Sequence, residues 1–376
     1  MKKLFFIAAI AGVALASCVK NEPAPSVTQQ DEISFAAPVV GLNTKAANEV
    51  WNNYPTATDY NFAVWAHYYD AADGNVFTEF GAGQVYMDEV EVSYNQTLNG
   101  WAPATSYYWP KNGSLTFIAY SPASKKEYAS LTAEGIQFTN YAVDQDAAKQ
   151  VDLLFSERAY NKTQVDDKKT GSDVTNEDSS VTSDIYKGVH LSFKHALSSI
   201  LFTAKTAAEY TNTVITLKEI KLIGVNSIGN FNQGLANAST GATATDADLW
   251  VNENTPIDYT VSNLSQVLNK SASYYTSTNS TTAPTAANGL RSSDFILLPQ
   301  AIPADAKIQV TYTIKSSESA ELTQVLQADL KMTNVEEWKR GFRYIYNIII
   351  GLEEIYFEPY VAPWTDASNV GYNVNL

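Results

Sequence analysis

The stretch Ile308-Gln309-Val310-Thr311-Tyr312-Thr313-Ile314-Lys315 alternates apolar and polar side chains without a break. Successive side chains of an extended chain point to opposite sides, so Ile308, Val310, Tyr312 and Ile314 share one face and the polar residues share the other. The pattern predicts a strand with one buried and one wet face. Phe62, Val64 and Ala66 repeat the spacing, but Ala63, Trp65 and His67 between them are also large or apolar, which predicts a strand covered on both sides. Further strands are expected at Val151–Phe155, Val189–Phe193, Ser199–Ala204, Val214–Val225, Phe295–Leu298 and Tyr344–Ile350. In Val214–Val225 the apolar phase switches between Leu217 and Ile220, the signature of a bulge. Asn112-Gly113 lies between YYWP and LTFIAY, and Asn-Gly favours a type I′ hairpin turn.

Composition agrees with strands. Tyr (23), Phe (15) and Trp (7) are plentiful, and helix-forming stretches at helical spacing are scarce. One short helical piece is expected at Asn334–Arg340, where Glu336 and Arg340 are four apart. Three polar segments, Asn161–Asp184, Ala236–Asp248 and Asn269–Asn288, read as long loops, either solvated connections or a recognition surface. Many short strands joined by turns predict an all-β fold of β-sandwiches. The formal net charge of −15 argues against nucleic-acid binding, which needs clustered Lys and Arg.

Lys2 and Lys3, the apolar run Leu4–Leu15 and the small residues Ala16 and Ser17 form an export signal, too short to span a bilayer. It ends at Leu15-Ala16-Ser17-Cys18, which resembles the lipobox of bacterial lipoproteins. That resemblance implies cleavage before Cys18 and acylation of its thiol. Cys18 is the only cysteine, so it forms no intramolecular disulfide. One acyl chain binds a membrane marginally, and two or three anchor durably, so the expected partner is membrane lipid.

The two ends of the mature chain carry matching patterns. Ile33, Phe35, Ala37 and Val39 fall on one face of a short N-terminal strand, followed by a polar stretch in which a trypsin-like protease could cut at Lys45-Ala46. Val370, Tyr372, Val374 and Leu376 alternate to the last residue. That tail reads either as an edge strand of its own sheet or as a donor strand for another copy. Were the first strand cut away, the vacated groove would be a template for such a donor.

A search for chemistry returns little. His67, His190 and His195 lack the spacing and company of a zinc site. Gly81–Gln84 is too short for a dinucleotide fingerprint, GVNSIG around Ser227 has the wrong spacing for a nucleophile elbow, and Asp144 and Asp146 lack the rest of a calcium loop. No catalytic residue, metal or cofactor is expected. Trp101, Tyr107, Tyr108 and Trp109 read either as a sugar-stacking platform or as core aromatics.

Several stretches together resemble the fimbrillin family of Bacteroidales, the Mfa-like and FimA-type pilins: LASC, ISFAAPVVGLNTKA, NFAVWAHYY, YYWPKNGSLTFIAYSP, VDLLFS, VHLSFKHALSSILFTA, FILLPQ and WKRGFRYIYNIII…IYFEPYVAPW, in family order. The resemblance implies two transthyretin-like β-sandwich domains in tandem and outer-membrane lipoprotein export. It also implies proteolytic removal of the first strand and polymerisation by strand exchange into a type V pilus. Members cut by arginine-specific proteases carry Arg at the maturation site, and this chain has Lys45. The organisation expected is a signal peptide at 1–17, a propeptide-like segment at 18–45, and sandwich domains at 46–206 and 207–376. The alternative expectation is a non-polymerising surface lipoprotein that binds glycan or a host ligand through its loops.

Overall fold

The computed structural model describes residues 32–36, 38–40, 61–70, 79–97, 100–164, 188–234, 249–271, 274–275, 295–317, 319–352 and 355–363. In chain order the strands are β1 (Val39–Val40), β2 (Asn61–Tyr69), β3 (Gln84–Asn95), β4 (Gly100–Pro103), β5 (Ser114–Ser121), β6 (Ala129–Thr132), β7 (Gly135–Ala142) and β8 (Leu154–Ser156). There follow β9 (Ala159–Lys162), β10 (Ser192–His195), β11 (Ser198–Thr206), β12 (Thr213–Asn226), β13 (Ile228–Asn232), β14 (Trp250–Asn252), β15 (Pro256–Val261) and β16 (Gln266–Val267). The last are β17 (Tyr274–Tyr275), β18 (Phe295–Leu297), β19 (Gln300–Ala301), β20 (Lys307–Ser316), β21 (Leu322–Asp329), β22 (Glu337–Trp338), β23 (Phe342–Ile350) and β24 (Ile355–Pro363). The fold is all-β, with short 3-10 turns at Ala123–Lys125 and Ala147–Lys149.

In β20 the alternation holds where it is strongest. Ile308, Val310 and Tyr312 are buried, and Gln309 and Thr311 are only partly covered. At the end of the strand Thr313 is buried and Ile314 half-exposed, so the clean phase stops at Tyr312. Its neighbour β12 carries the bulge, a register shift between Leu217 and Glu219, where the apolar phase changes. β2 is buried on both faces from Phe62 to His67.

The second half of the chain supplies two sheets, ordered β17-β11-β23-β24 and β15-β12-β20-β21. The first half supplies a sheet ordered β1-β10-β8-β5-β2-β3-β4, with β9 paired to β5. A four-stranded sheet, β14-β13-β7-β6, joins strands from before and after residue 206, so hydrogen bonding crosses the expected domain break. One apolar cluster runs from Trp65, Tyr120 and Phe155 on the first sheet, through Phe138, Phe231 and Trp250, to Ile215, Ile308 and Tyr346. A second cluster, around Phe35, Phe62, Phe117 and Trp101, fills the opposite side of the first sheet.

Two sequence expectations fail. Asn334–Arg340 is not helical: Met332 and Val335 form a bridge, and Trp338 on β22 pairs with Gln300 on β19. Val335 and Trp338 are buried in the core, and Arg340 lies over the Phe155 ring at 5.4 Å. Burial of these large side chains outweighs the few tenths of a kcal/mol that a Glu336–Arg340 helical pair would bring. Nor does Asn112-Gly113 make a type I′ hairpin. Only Gly113 takes a positive φ, and β5 pairs with β2, β8 and β9, whereas residues 107–108 bond to residues 32–33. Trp109, 1% exposed, packs in the second cluster against Phe117 of β5 at 5.9 Å, and this side-chain contact takes the place of a strand ladder between YYWP and β5.

Within the expected loops, Asn161–Lys162 closes β9, and Tyr274–Tyr275 forms β17 against Thr203–Ala204 of β11. The segments 165–187, 236–248 and 276–288 lie outside the described residues.

Candidate functional site

Residues 32–36 and 38–40 join the two edges of the first sheet. On one side the Ile33 amide donates to the Tyr107 carbonyl at 2.7 Å and the Phe35 amide to the Trp101 carbonyl at 2.8 Å; the Trp101 amide returns a bond to Phe35 at 3.4 Å. On the other side the Val189 amide donates to the Ser34 carbonyl at 2.9 Å and the Ala36 amide to Val189 at 3.1 Å. Phe35 therefore bridges Trp101 of β4 in antiparallel sense and Val189 in parallel sense. β1 continues the parallel run, Val39 opposite Ser192 and Val40 opposite Phe193 of β10. Followed around, the hydrogen-bonded order returns to its start, and the segment is the strap that closes the sheet.

What it closes is the second apolar cluster. Ile33 and Phe35 are 2% and 0% exposed, and Phe35 meets Phe62 at 5.6 Å and Phe117 at 5.7 Å, both edge-to-face. Such aromatic pairs contribute about 0.5–1.5 kcal/mol beyond their area. Gly188 admits the strap: its φ is +111°, and a Cβ there would stand 2.7 Å from Phe35 N and C and from Ser34 C. A side chain at 188 could not coexist with the seated backbone.

Of the expected first-strand residues, Ile33 and Phe35 are core. Ala37 lies outside the described residues, and of Val39 only the backbone is described. The next core side chain is Val40, 9% exposed, because the apolar phase changes at Ala36, which is itself buried. Cys18, Lys45, Ala46, Val370, Tyr372, Val374 and Leu376 all lie outside the described residues. The sequence pattern marks Trp101 and Tyr107 as aromatics and Val189 as a strand start, but does not join them with Gly188 as one seat. The available signal was Gly188, the small residue that opens GVHLSF.

The aromatic run divides by burial. Trp101 and Trp109 are core, within 0–1% exposure, whereas Tyr108 is exposed and its hydroxyl reaches Glu32 at 3.4 Å. These tryptophans wall the strap's seat and offer no open face for a sugar. His195 Nδ1 lies 2.7 Å from Asp152 Oδ2, with both side chains buried. His67 is buried edge-on to Phe80, and desolvation holds its pKa below the ordinary value, against smaller raising effects of the Phe80 backbone and Asp88. Burial, then a hydrogen bond to Glu89 at 2.7 Å, pushes the Tyr120 phenol up. The Asp146 amide donates to Asp144 Oδ1 at 2.9 Å, and Lys149 sits 3.6 Å from Asp146, so this acidic pair is a turn with a surface ion pair. Among the described residues no three His, Cys, Asp or Glu side chains gather as a metal set would require.

A closed, strap-locked sheet joined to further sheets through one apolar cluster defines an all-β architecture. The model of the family described as fimbrillin-like matches residues 44–364, and the chain belongs to that family. A solved fimbrial protein from Bacteroides vulgatus superposes with a TM-score of 0.54 at 15% identity, over 89% of this chain and 99% of that one. This likeness shows the shared fold. A candidate cell adhesion protein from Bacteroides uniformis gives a TM-score of 0.45 at 16% identity, over 90% and 99% of the two chains. No curated protein sequence matches.

Proposed function

We propose that the chain is a fimbrial subunit. In this reading it is lipidated at Cys18, exported to the outer membrane, cut between Lys45 and Ala46, and polymerised by a neighbour's tail, Val370 to Leu376, entering the seat of residues 32–40. The observation that carries the reading is the strap: a short segment ahead of Lys45 that, among the described residues, is what joins β4 to the 189–193 run. Its departure would leave a slot lined by Phe62, Phe117 and Trp101, with unpaired backbone groups on both walls. A donor would need an apolar side chain at every second residue, and the tail has that spacing. Each apolar side chain seated contributes roughly 1.5–3 kcal/mol and each backbone hydrogen bond about 0.5–1.5 kcal/mol, less the cost of ordering the tail. Partners in this reading are other copies or related pilins, a trypsin-like maturation protease and outer-membrane lipid.

The test is limited trypsin treatment of residues 18–376. The new amino terminus should be Ala46, and heat-labile ladders should appear on a gel. A chain lacking Val370–Leu376 should be cut at the same bond and remain single. Ladders that persist in that chain rule out the tail as donor, and a cut chain that stays monomeric with its tail intact rules out the exchange.

A further inference from the structure

Most edge strands of this fold carry a device against pairing with another chain. β24 has Pro359 inside it, and β15 begins on Pro256. β6, β14 and β17 are four, three and two residues long. The two edges of the first sheet are joined by the strap. Proline, lysine, bulges and shortness are the usual protections of an edge. β21 has none of them. It runs eight residues, Leu322 to Asp329, in unbroken register with β20, and its outer side bonds to no other strand among the described residues. Val325 and Leu322 are 52% and 55% exposed. Its one charge, Asp329, forms an ion pair back to Lys307 on β20.

We propose that β21 pairs antiparallel with β21 of a second copy, about a two-fold axis at Leu326, merging the two β15-β12-β20-β21 sheets into one. The register follows from charge. With the axis at Leu326, residues directly opposite share a face: Gln324 meets the partner's Ala328, and Val325 meets the partner's Gln327. Exposed Glu321, just before the strand, then comes opposite the partner's Lys331, just after it, and symmetry makes this contact twice. Centring instead on Val325 sets Glu321 against the partner's Asp329, a repulsive pair. Parallel pairing in register stacks Asp329 on the partner's Asp329. Opposite charges across strands stabilise and like charges destabilise, so the Leu326 axis wins. The contact involves neither the strap nor the tail, so it stands or falls apart from strand exchange.

The test is sedimentation equilibrium of uncut residues 18–376 carrying Cys18→Ser, in which the strap stays seated. The expected result is a monomer–dimer equilibrium. Glu321→Lys alone and Lys331→Glu alone should each raise the dissociation constant about tenfold, and the double variant should restore it. Val325→Pro, with the fold checked by circular dichroism, should abolish the dimer. Three results overturn the proposal: a monomer up to submillimolar concentration, a dimer indifferent to Val325→Pro, or charge reversals that do not compensate each other.

Discussion

Phe35 packs edge-on against Phe62 and Phe117 at the centre of the closed sheet, so truncating it leaves a cavity that its ring-shaped surroundings cannot collapse to fill. Phe35→Ala should lower unfolding stability by roughly 3–5 kcal/mol, read as a shift in the denaturant midpoint. Gly188→Ala acts on the same seat from the backbone side, through the 2.7 Å approach to Ser34 and Phe35. It should speed amide exchange at residues 33–36 more than in β20 or β23, and equal protection in both variants and parent would contradict the strap's placement. His67 adds a pH dependence. Its pKa is depressed in the folded chain, so the unfolded chain binds the proton more readily, and stability is complete above about 6.5 and falls as pH drops below that value. Denaturant midpoints near pH 7.5 and pH 5 should differ less in His67→Gln than in the parent. At this scale the sequence was readable where side-chain type alone decides, as at Ile33, Phe35 and Val310. It was not readable at Val40, because the phase change at Ala36 depends on which neighbours the backbone meets.

The strap as an element is short and closes the sheet through contacts far apart in sequence, with Trp101 on one side and Val189 on the other. Its excision should therefore open one cluster and spare the other. After cleavage at Lys45 and release of the segment, Trp101 and Trp109 emission should shift to the red and an apolar dye should bind. Strands β20 and β23, in the other cluster, should keep their amide protection. Loss of protection throughout the chain would show that the two clusters melt as one unit. β2 and β20 were legible because burial on two faces and on one face leaves opposite patterns. β3 and β21 passed unnoticed: their burial alternates weakly, since both are partly solvated on each side. The Asn112-Gly113 hairpin failed for a different reason, since turn chemistry allows a reversal but tertiary burial of Trp109 chose the partner.

Across the whole molecule, charge and connectivity set how copies meet. The formal charge is −15, so two copies repel at long range. Ladder formation by cut chains should therefore be faster at about 300 mM salt than at about 20 mM, where the Debye length is several times longer. A rate that falls with salt would point to an attractive charged contact in place of an apolar slot. The all-β class was legible from composition and alternation, but the joining of β7 to β13 was not, because that pairing links strands about ninety residues apart and leaves no local trace. The strap's geometry carries a mechanical consequence. It lies along its neighbours, bonded on both flanks, so a lengthwise pull loads those bonds in shear, all together, whereas a sideways peel would break them singly. Any strand lodged in that place under tension would give way at a rate set by its barrier to rupture, and its endurance would be measured in lifetime under load.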